Sequence, residues 1–150
     1  MSMTSKIRIL LEMVKFEHTI FALPFALISV ILASENSKTG HGLPELRQVF
    51  WVIMAMVGAR SAAMAFNRIV DAEFDAENAR TKVRAIPAGL ISRGAAVVFT
   101  VCFIGLFEVA AWQLNLLCLY LSPVALLFVL GYSYTKRFTF LCHMVLGAAI

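Results

Sequence analysis

Charged residues are scarce in this chain of 150 residues: they make up 15% of it, against 61% for hydrophobic residues. Ordinary soluble domains are about half apolar and about a quarter charged. This composition excludes an ordinary soluble domain and predicts an integral membrane protein. The long apolar runs between short polar blocks predict an all-α fold, a polytopic bundle of transmembrane helices in the lipid bilayer.

Two further shortages narrow the class of protein. The three cysteines, Cys102, Cys118 and Cys142, form no C-x-x-C pair, so we interpret them as small apolar residues rather than a redox or metal centre. The net charge of +4 comes from basic residues in short blocks between apolar runs. That arrangement is typical of membrane topology and does not favour binding to nucleic acid.

The apolar runs predict about four complete spans and the start of a fifth. An amphipathic segment over residues 1–15 precedes them at the membrane surface. The first span is short, so we expect its helix to begin near Glu12, and Ser92 is the expected cap of the third. The spans are Ile20–Ala33, about Leu46–Phe66, Gly94–Trp112, Leu116–Gly131 and a run from Phe138 onward.

Basic residues predict the orientation of these spans. With the N-terminus in the cytoplasm, eleven of the thirteen Lys and Arg residues fall on the cytoplasmic side, and only Lys38 and Arg47 fall on the other. Such a bias follows the positive-inside rule. No cleavable signal peptide is evident, and we expect a bacterial inner membrane with the polar segments facing the cytoplasm.

Nine of the 22 charged residues lie between residues 60 and 84. If this stretch is helical, at about 100° per residue, then relative to Asn67 the side chains of Asp71, Asp75, Asn78 and Arg60 point roughly 40°, 80°, 20° and 20° away. These five side chains are therefore predicted to share one face. On the same wheel Glu73 and Glu77 are directed elsewhere.

Two carboxylates one helical turn apart are costly at the edge of an apolar protein unless a cation lies between them. Asp71 and Asp75, with the amide of Asn67, offer the hard oxygen ligands that Mg²⁺ prefers. The alternative is a solvated polar loop between two membrane helices.

The spacing Asn67-x-x-x-Asp71-x-x-x-Asp75, followed by residues 84–89 with the sequence R-A-I-P-A-G, closely resembles the first aspartate-rich motif of the UbiA-type membrane prenyltransferases. Residues 132–139, Y-S-Y-T-K-R-F-T, resemble a second signature of that family. Residues 16–26, F-E-H-T-I-F-A-L-P-F-A, are most similar to its 4-hydroxybenzoate and menaquinone-pathway branches.

The resemblance implies an aromatic prenyltransferase of quinone biosynthesis, for ubiquinone or menaquinone. Such an enzyme transfers a polyprenyl group from polyprenyl diphosphate to an aromatic acid, 4-hydroxybenzoate or a dihydroxynaphthoate, with Mg²⁺ as cofactor. The implied roles are metal binding by Asn67, Asp71 and Asp75; catalysis by Asp71, Asp75 and Arg137; diphosphate binding by Lys136, Arg137, Arg80 and Arg84; and acceptor binding by Arg60 and Tyr132.

Some of these residues have simpler interpretations. Lys136 and Arg137 can be topogenic charges, and Arg60 can extend to the interface from within its span. The family also carries a second aspartate-rich motif, whereas no acidic residue follows Glu108 here. We therefore expect residues 1–150 to be the N-terminal half of a longer enzyme and inactive alone. The alternative is a non-catalytic membrane protein, either a transporter half or an assembly partner.

Overall fold

The computed structural model describes residues 3–14, 17–35 and 43–135, and in these segments all regular secondary structure is helical. This confirms the predicted all-α fold. The five helices are α1 (Met3–Met13), α2 (Glu17–Glu35), α3 (Leu46–Glu77), α4 (Arg93–Leu114) and α5 (Leu116–Thr135).

Three helices, α3, α4 and α5, are long and apolar enough to cross a membrane, and α2 contributes a shorter apolar stretch, Ala22–Ser34. The prediction that the first helix begins near Glu12 is wrong, because α1 ends at Met13 and α2 begins at Glu17. The predicted fifth run, from Phe138 onward, lies outside the described residues. The protein is an integral membrane bundle.

The longest helix, α3, is where the charge is concentrated. Its 32 residues correspond to an axial length of about 48 Å, against about 30 Å for the hydrocarbon core of a bilayer. The excess lies at the C-terminal end, since the residues after Phe66 carry the charges. The predicted second span, about Leu46–Phe66, is thus continued by a polar extension of the same helix. Its charged residues are Arg68, Asp71, Glu73, Asp75 and Glu77.

The α3–α4 pair is the main packing contact of the bundle, and it is made by small residues. Gly58, Ala62 and Ala65 of α3 are buried, as are Ala96 and Ala110 of α4. Small side chains let two helix backbones approach closely, which gives good van der Waals contact in a bilayer. A Cβ atom added at Gly58 would lie 2.9 Å from the backbone nitrogen of Phe107. The close contact between α3 and α4 therefore fixes the position of α3 in the bundle.

Side-chain hydrogen bonds cap the N-termini of α4 and α5. Ser92 accepts a hydrogen bond from the Ala95 backbone N–H at 3.2 Å, which confirms the predicted cap. Asn115, between the two helices, accepts one from the Cys118 N–H at 2.7 Å. A side-chain oxygen at these positions satisfies a backbone donor that has no partner inside the helix.

The short helix α1 is anchored on the polar end of α3. Its last residue, Met13, and the following Val14 are buried in a cluster with Ala65. Ala85 and Ile86, from the loop after α3, pack against the same cluster. Helix α1 thereby covers the segment that connects α3 to α4.

Candidate functional site

The polar face of α3 supplies side chains to two separate cavities. The charged cavity, about 440 Å³, is lined by Arg68, Asp75, Arg80, Thr81 and Arg84, together with residues of α1 and apolar residues of the loop after α3. The α3–α5 cavity, about 610 Å³, is lined by Arg60, Asn67, Tyr132 and Ser133, together with apolar residues of α2, α3 and α5. Asp71 lines neither of the two.

Helix geometry explains this division. Residues spaced by four drift by about 40° per step on an α-helix, so Asn67 and Asp75 point about 80° apart. Asn67 therefore faces α5, whereas Asp75 faces α1 and the loop after α3. The single face predicted from the sequence is wide enough to border both cavities.

Asp75 is the buried carboxylate of the charged cavity. The residue is 6% exposed, and Nη1 of Arg84 donates to Oδ1 at 2.6 Å and to Oδ2 at 2.7 Å. A carboxylate so deeply buried needs a nearby cation. In this structure Arg84 provides it.

The loop after α3 brings Arg84 to Asp75 by a series of turns. Thr81 is buried and its hydroxyl donates to the backbone oxygen of Asp75 at 3.1 Å. Further along, Gly89 has φ +70°, a left-handed conformation that glycine adopts without strain. The Gly89 and Leu90 N–H groups bond to the oxygens of Ile86 and of Ala85, the pattern of a Schellman motif. The R-A-I-P-A-G sequence is thus a defined turn that positions a cation.

Asn78 does not belong to the helical face that the sequence predicts. It is the C-cap of α3, with an extended backbone of φ −92° and ψ 122°, so its wheel angle does not apply. Its side-chain oxygen accepts a hydrogen bond from the Arg80 N–H at 3.0 Å. The other two acidic residues behave as predicted: Glu73 and Glu77 are exposed, and Glu73 lies 3.2 Å from Arg93 Nη2.

The donor atoms around Asp75 fit a hard divalent cation. Asp71, one turn earlier, is half-buried, and Arg68 interacts electrostatically with both aspartates. Mg²⁺ commonly takes one or two carboxylates from a protein and completes its shell with water and phosphate. Within residues 3–14, 17–35 and 43–135, no three His, Cys, Asp or Glu side chains form a metal-binding group. These residues therefore supply a partial shell, not a closed metal cage.

The α3–α5 cavity is mostly apolar and contains buried polar atoms without hydrogen-bond partners. On α3 its lining follows one helical stripe, and α5 contributes three residues. The Nε atom of Arg60 and the Oγ atom of Ser133 are both buried and have no hydrogen-bond partner. The stripe consists of Met56, Ala59, Arg60, Ala63, Met64 and Asn67, opposite Val129, Tyr132 and Ser133.

The predicted site residues thus separate into three groups. Arg60, Asn67 and Tyr132 line the α3–α5 cavity, and Asp75, Arg80 and Arg84 line the charged cavity with Asp71 nearby. Lys136 and Arg137 lie outside the described residues. The sequence analysis did not single out Ser133, although it lies inside the second quoted motif, nor Thr81, whose role depends on the loop's fold.

The chain is similar in sequence to curated proteins of known activity. The 4-hydroxybenzoate octaprenyltransferase of Vibrio cholerae serotype O1 is 33% identical over 109 residues, which are 73% of this chain and 38% of that protein. The enzyme of the same description from Francisella tularensis subsp. novicida is 30% identical over 123 residues, 82% of this chain and 41% of its own. The chain thus spans about two fifths of the length of these curated relatives.

A solved structure is also similar. The apo structure of a UbiA homolog from Aeropyrum pernix K1 matches with a TM-score of 0.78 and 35% identity, covering 89% of this chain and 46% of that one. The profile of the UbiA prenyltransferase family matches residues 22–150. This chain belongs to the UbiA prenyltransferase family.

Proposed function

We propose that this chain is the N-terminal half of a membrane enzyme of quinone biosynthesis, which transfers a polyprenyl group from its diphosphate to an aromatic acid. The observation that carries the proposal is the pair of cavities along one helix, one lined by three arginines and Asp75 and the other mostly apolar with the partly buried Arg60. They suit the two different substrates of such a transfer. The similarity to 4-hydroxybenzoate octaprenyltransferases favours 4-hydroxybenzoate as the acceptor.

The charged cavity is the proposed diphosphate site. Arg68, Arg80 and Arg84 line it, and guanidinium groups bind phosphate oxygens through charge-assisted hydrogen bonds. Asp71 and Asp75, one turn apart, are the residues that would hold Mg²⁺, which would supply positive charge for the departing diphosphate. Asn67 lines the other cavity and, about 12 Å from Asp75 along the helix, would not reach the same ion. Arg84 already neutralises Asp75, so it must move or share that carboxylate when a metal and a diphosphate arrive.

The α3–α5 cavity is the proposed acceptor site. The guanidinium of Arg60 pairs with the acceptor carboxylate, and the apolar residues around it contact the ring. In the reaction the C1–O bond of the prenyl diphosphate breaks, the ring carbon bonds to the allylic carbon, and the ring then loses a proton. Tyr132 lines this cavity, where its ring can face the allylic cation.

Axial distances along α3 support the assignment of the two proposed sites. Arg60 and Asn67 are about 10 Å apart along the helix, and Asn67 and Asp75 about 12 Å. An acceptor whose carboxylate contacts Arg60 would therefore hold its ring near Asn67. Its reactive carbon would then point toward the end of the helix where the diphosphate is proposed to bind.

The test is an activity assay on the whole gene product, with any coding sequence downstream of Ile150 retained. It is expressed in bacterial inner membranes that lack their own aromatic prenyltransferase. We expect Mg²⁺-dependent prenylation of 4-hydroxybenzoate or of a dihydroxynaphthoate, and none from residues 1–150 alone. Absence of transfer to either acid by well-folded protein would overturn the proposal and favour a non-catalytic role.

A further inference from the structure

Ser133 is one of the most completely buried side chains in the described part of the chain, at 1% exposure. It lies in the last turn of α5 and lines the α3–α5 cavity. Its hydroxyl has no hydrogen-bond partner. Buried hydroxyl groups are nearly always hydrogen-bonded, so an exception calls for an explanation.

Other hydroxyl groups in these helices find partners locally. Thr100 donates to the Ala96 oxygen at 2.9 Å, and Thr135 donates to the Tyr132 oxygen at 3.0 Å. Ser122 donates to Glu108 Oε2 at 2.6 Å. Such bonds to a carbonyl one turn back are the usual solution inside a membrane helix. Ser133 makes no such hydrogen bond.

The second unpartnered atom in the same cavity is Nε of Arg60. A guanidinium N–H can only donate, whereas a hydroxyl can donate or accept. The remaining wall is largely alanine, methionine and valine. A fitting occupant therefore carries an anionic acceptor group at one end and a flat apolar body, which is the chemistry of an aromatic carboxylate.

We propose that Ser133 is a substrate-binding residue that determines acceptor specificity by donating its hydroxyl proton to the acceptor carboxylate, beside the Nε of Arg60. This inference rests on the proposed function, since it assigns a second donor to the same acceptor site. Two donors from different helices fix the direction of the carboxylate better than Arg60 alone. The ring is held in one orientation as a result.

The test uses Ser133→Ala in the whole gene product, with Michaelis constants measured for both substrates in membranes. We expect the KM for the aromatic acid to rise about tenfold or more, the size expected for a lost hydrogen bond to a charged group. The KM for polyprenyl diphosphate should change less than about twofold. Thr100→Val, which removes an equally buried hydroxyl outside the cavity, should leave both constants unchanged.

A neutral ligand separates binding of the carboxylate from a general loss of structure. 4-Ethylphenol has the ring and hydroxyl group of 4-hydroxybenzoate but no carboxylate, and it is added as a competitor of the acid. Its inhibition constant should be the same in wild type and Ser133→Ala. If instead the acid and the phenol weaken equally, or the donor KM rises as much, the proposed contact is wrong.

If Ser133→Ala fails to accumulate in membranes, Ser133→Cys provides the second variant, because a thiol is a weaker donor of similar size. Its KM for the acid should rise about threefold, and an unchanged value overturns the contact. Wild type that prenylates an aromatic acid while Ser133→Ala does so with an unchanged KM refutes this inference alone. Wild type that prenylates no aromatic acid refutes the proposed function and this inference together.

Discussion

The two cavities along α3 differ in whether their buried polar groups have partners within the protein. In the charged cavity the Asp75 carboxylate is held by Arg84 at 2.6 and 2.7 Å. In the α3–α5 cavity the Arg60 Nε and Ser133 Oγ atoms have no partner. One site is charge-compensated before any ligand binds, while the other contains two buried donor atoms without hydrogen-bond partners.

This difference affects how each ligand would bind. A cation entering the charged cavity must replace Arg84 at Asp75, so binding there is an exchange of one positive charge for another. A carboxylate entering the α3–α5 cavity meets donors that contact no other group, so binding there removes an unfavourable state. We expect metal and diphosphate to rearrange the loop after α3, and the acceptor to bind with little rearrangement of α3 and α5.

The largest effect is expected from Asp75→Ala in the whole gene product. The change removes a proposed metal ligand and leaves Arg84 without its partner, so transfer should fall by about 100-fold or more. Product formation in membranes measures it. Glu77→Ala, an exposed carboxylate at the end of the same helix, should retain nearly full activity. Equal activity of the two variants would show that the charged cavity has no role in the transfer.

A second variant tests how strongly the α3–α4 contact holds α3, the helix that borders both cavities. Gly58→Leu places side-chain atoms where a Cβ already lies 2.9 Å from Phe107 N and 3.0 Å from Phe103 O. Backbone atoms cannot move aside easily, so we expect a loss of about 1–3 kcal/mol in the free energy of unfolding. Thermal unfolding in detergent measures the loss. Gly105→Leu, with open space around its Cβ, should cost less than a third as much.

The smallest expected effect concerns the replacement of Arg84 by a metal cation at Asp75. In Arg84→Gln that carboxylate no longer has its internal cation, so added Mg²⁺ should raise the Tm of the variant by a few degrees more than that of the wild type. The Tm in Mg²⁺ minus the Tm in EDTA is the measurement. Arg93→Gln, which loses only an exposed pair with Glu73, is the control. An equal Mg²⁺ response in Arg84→Gln and wild type would contradict the exchange.

Much of the fold follows from the sequence because apolar length and charge segregation are local properties. The bounds of α4 and its Ser92 cap needed only the residues of that helix. The break between α1 and α2 was missed because it reflects packing of Met13 and Val14 against Ala65, which is distant in sequence. The close approach at Gly58 likewise depends on a second helix.

The candidate site shows the same difference between local features, which the sequence predicts, and contacts between distant residues, which it does not. Spacing alone indicated Asn67, Asp71 and Asp75, and helix drift explains why Asn67 and Asp75 border different cavities. Spacing could not indicate that Asn78 ends the helix, that Arg84 turns back onto Asp75, or that Ser133 has no partner. Each of these depends on how the loop after α3 and helix α5 fold against α3.

The central claim is that the two cavities bind different substrates. Its most direct test is to measure both Michaelis constants in Arg60→Lys and in Arg84→Gln in the whole gene product. The account predicts a crossed result: Arg60→Lys raises the KM of the aromatic acid about tenfold and spares that of polyprenyl diphosphate, and Arg84→Gln does the reverse. If each variant raised both constants equally, the division between the cavities would be wrong.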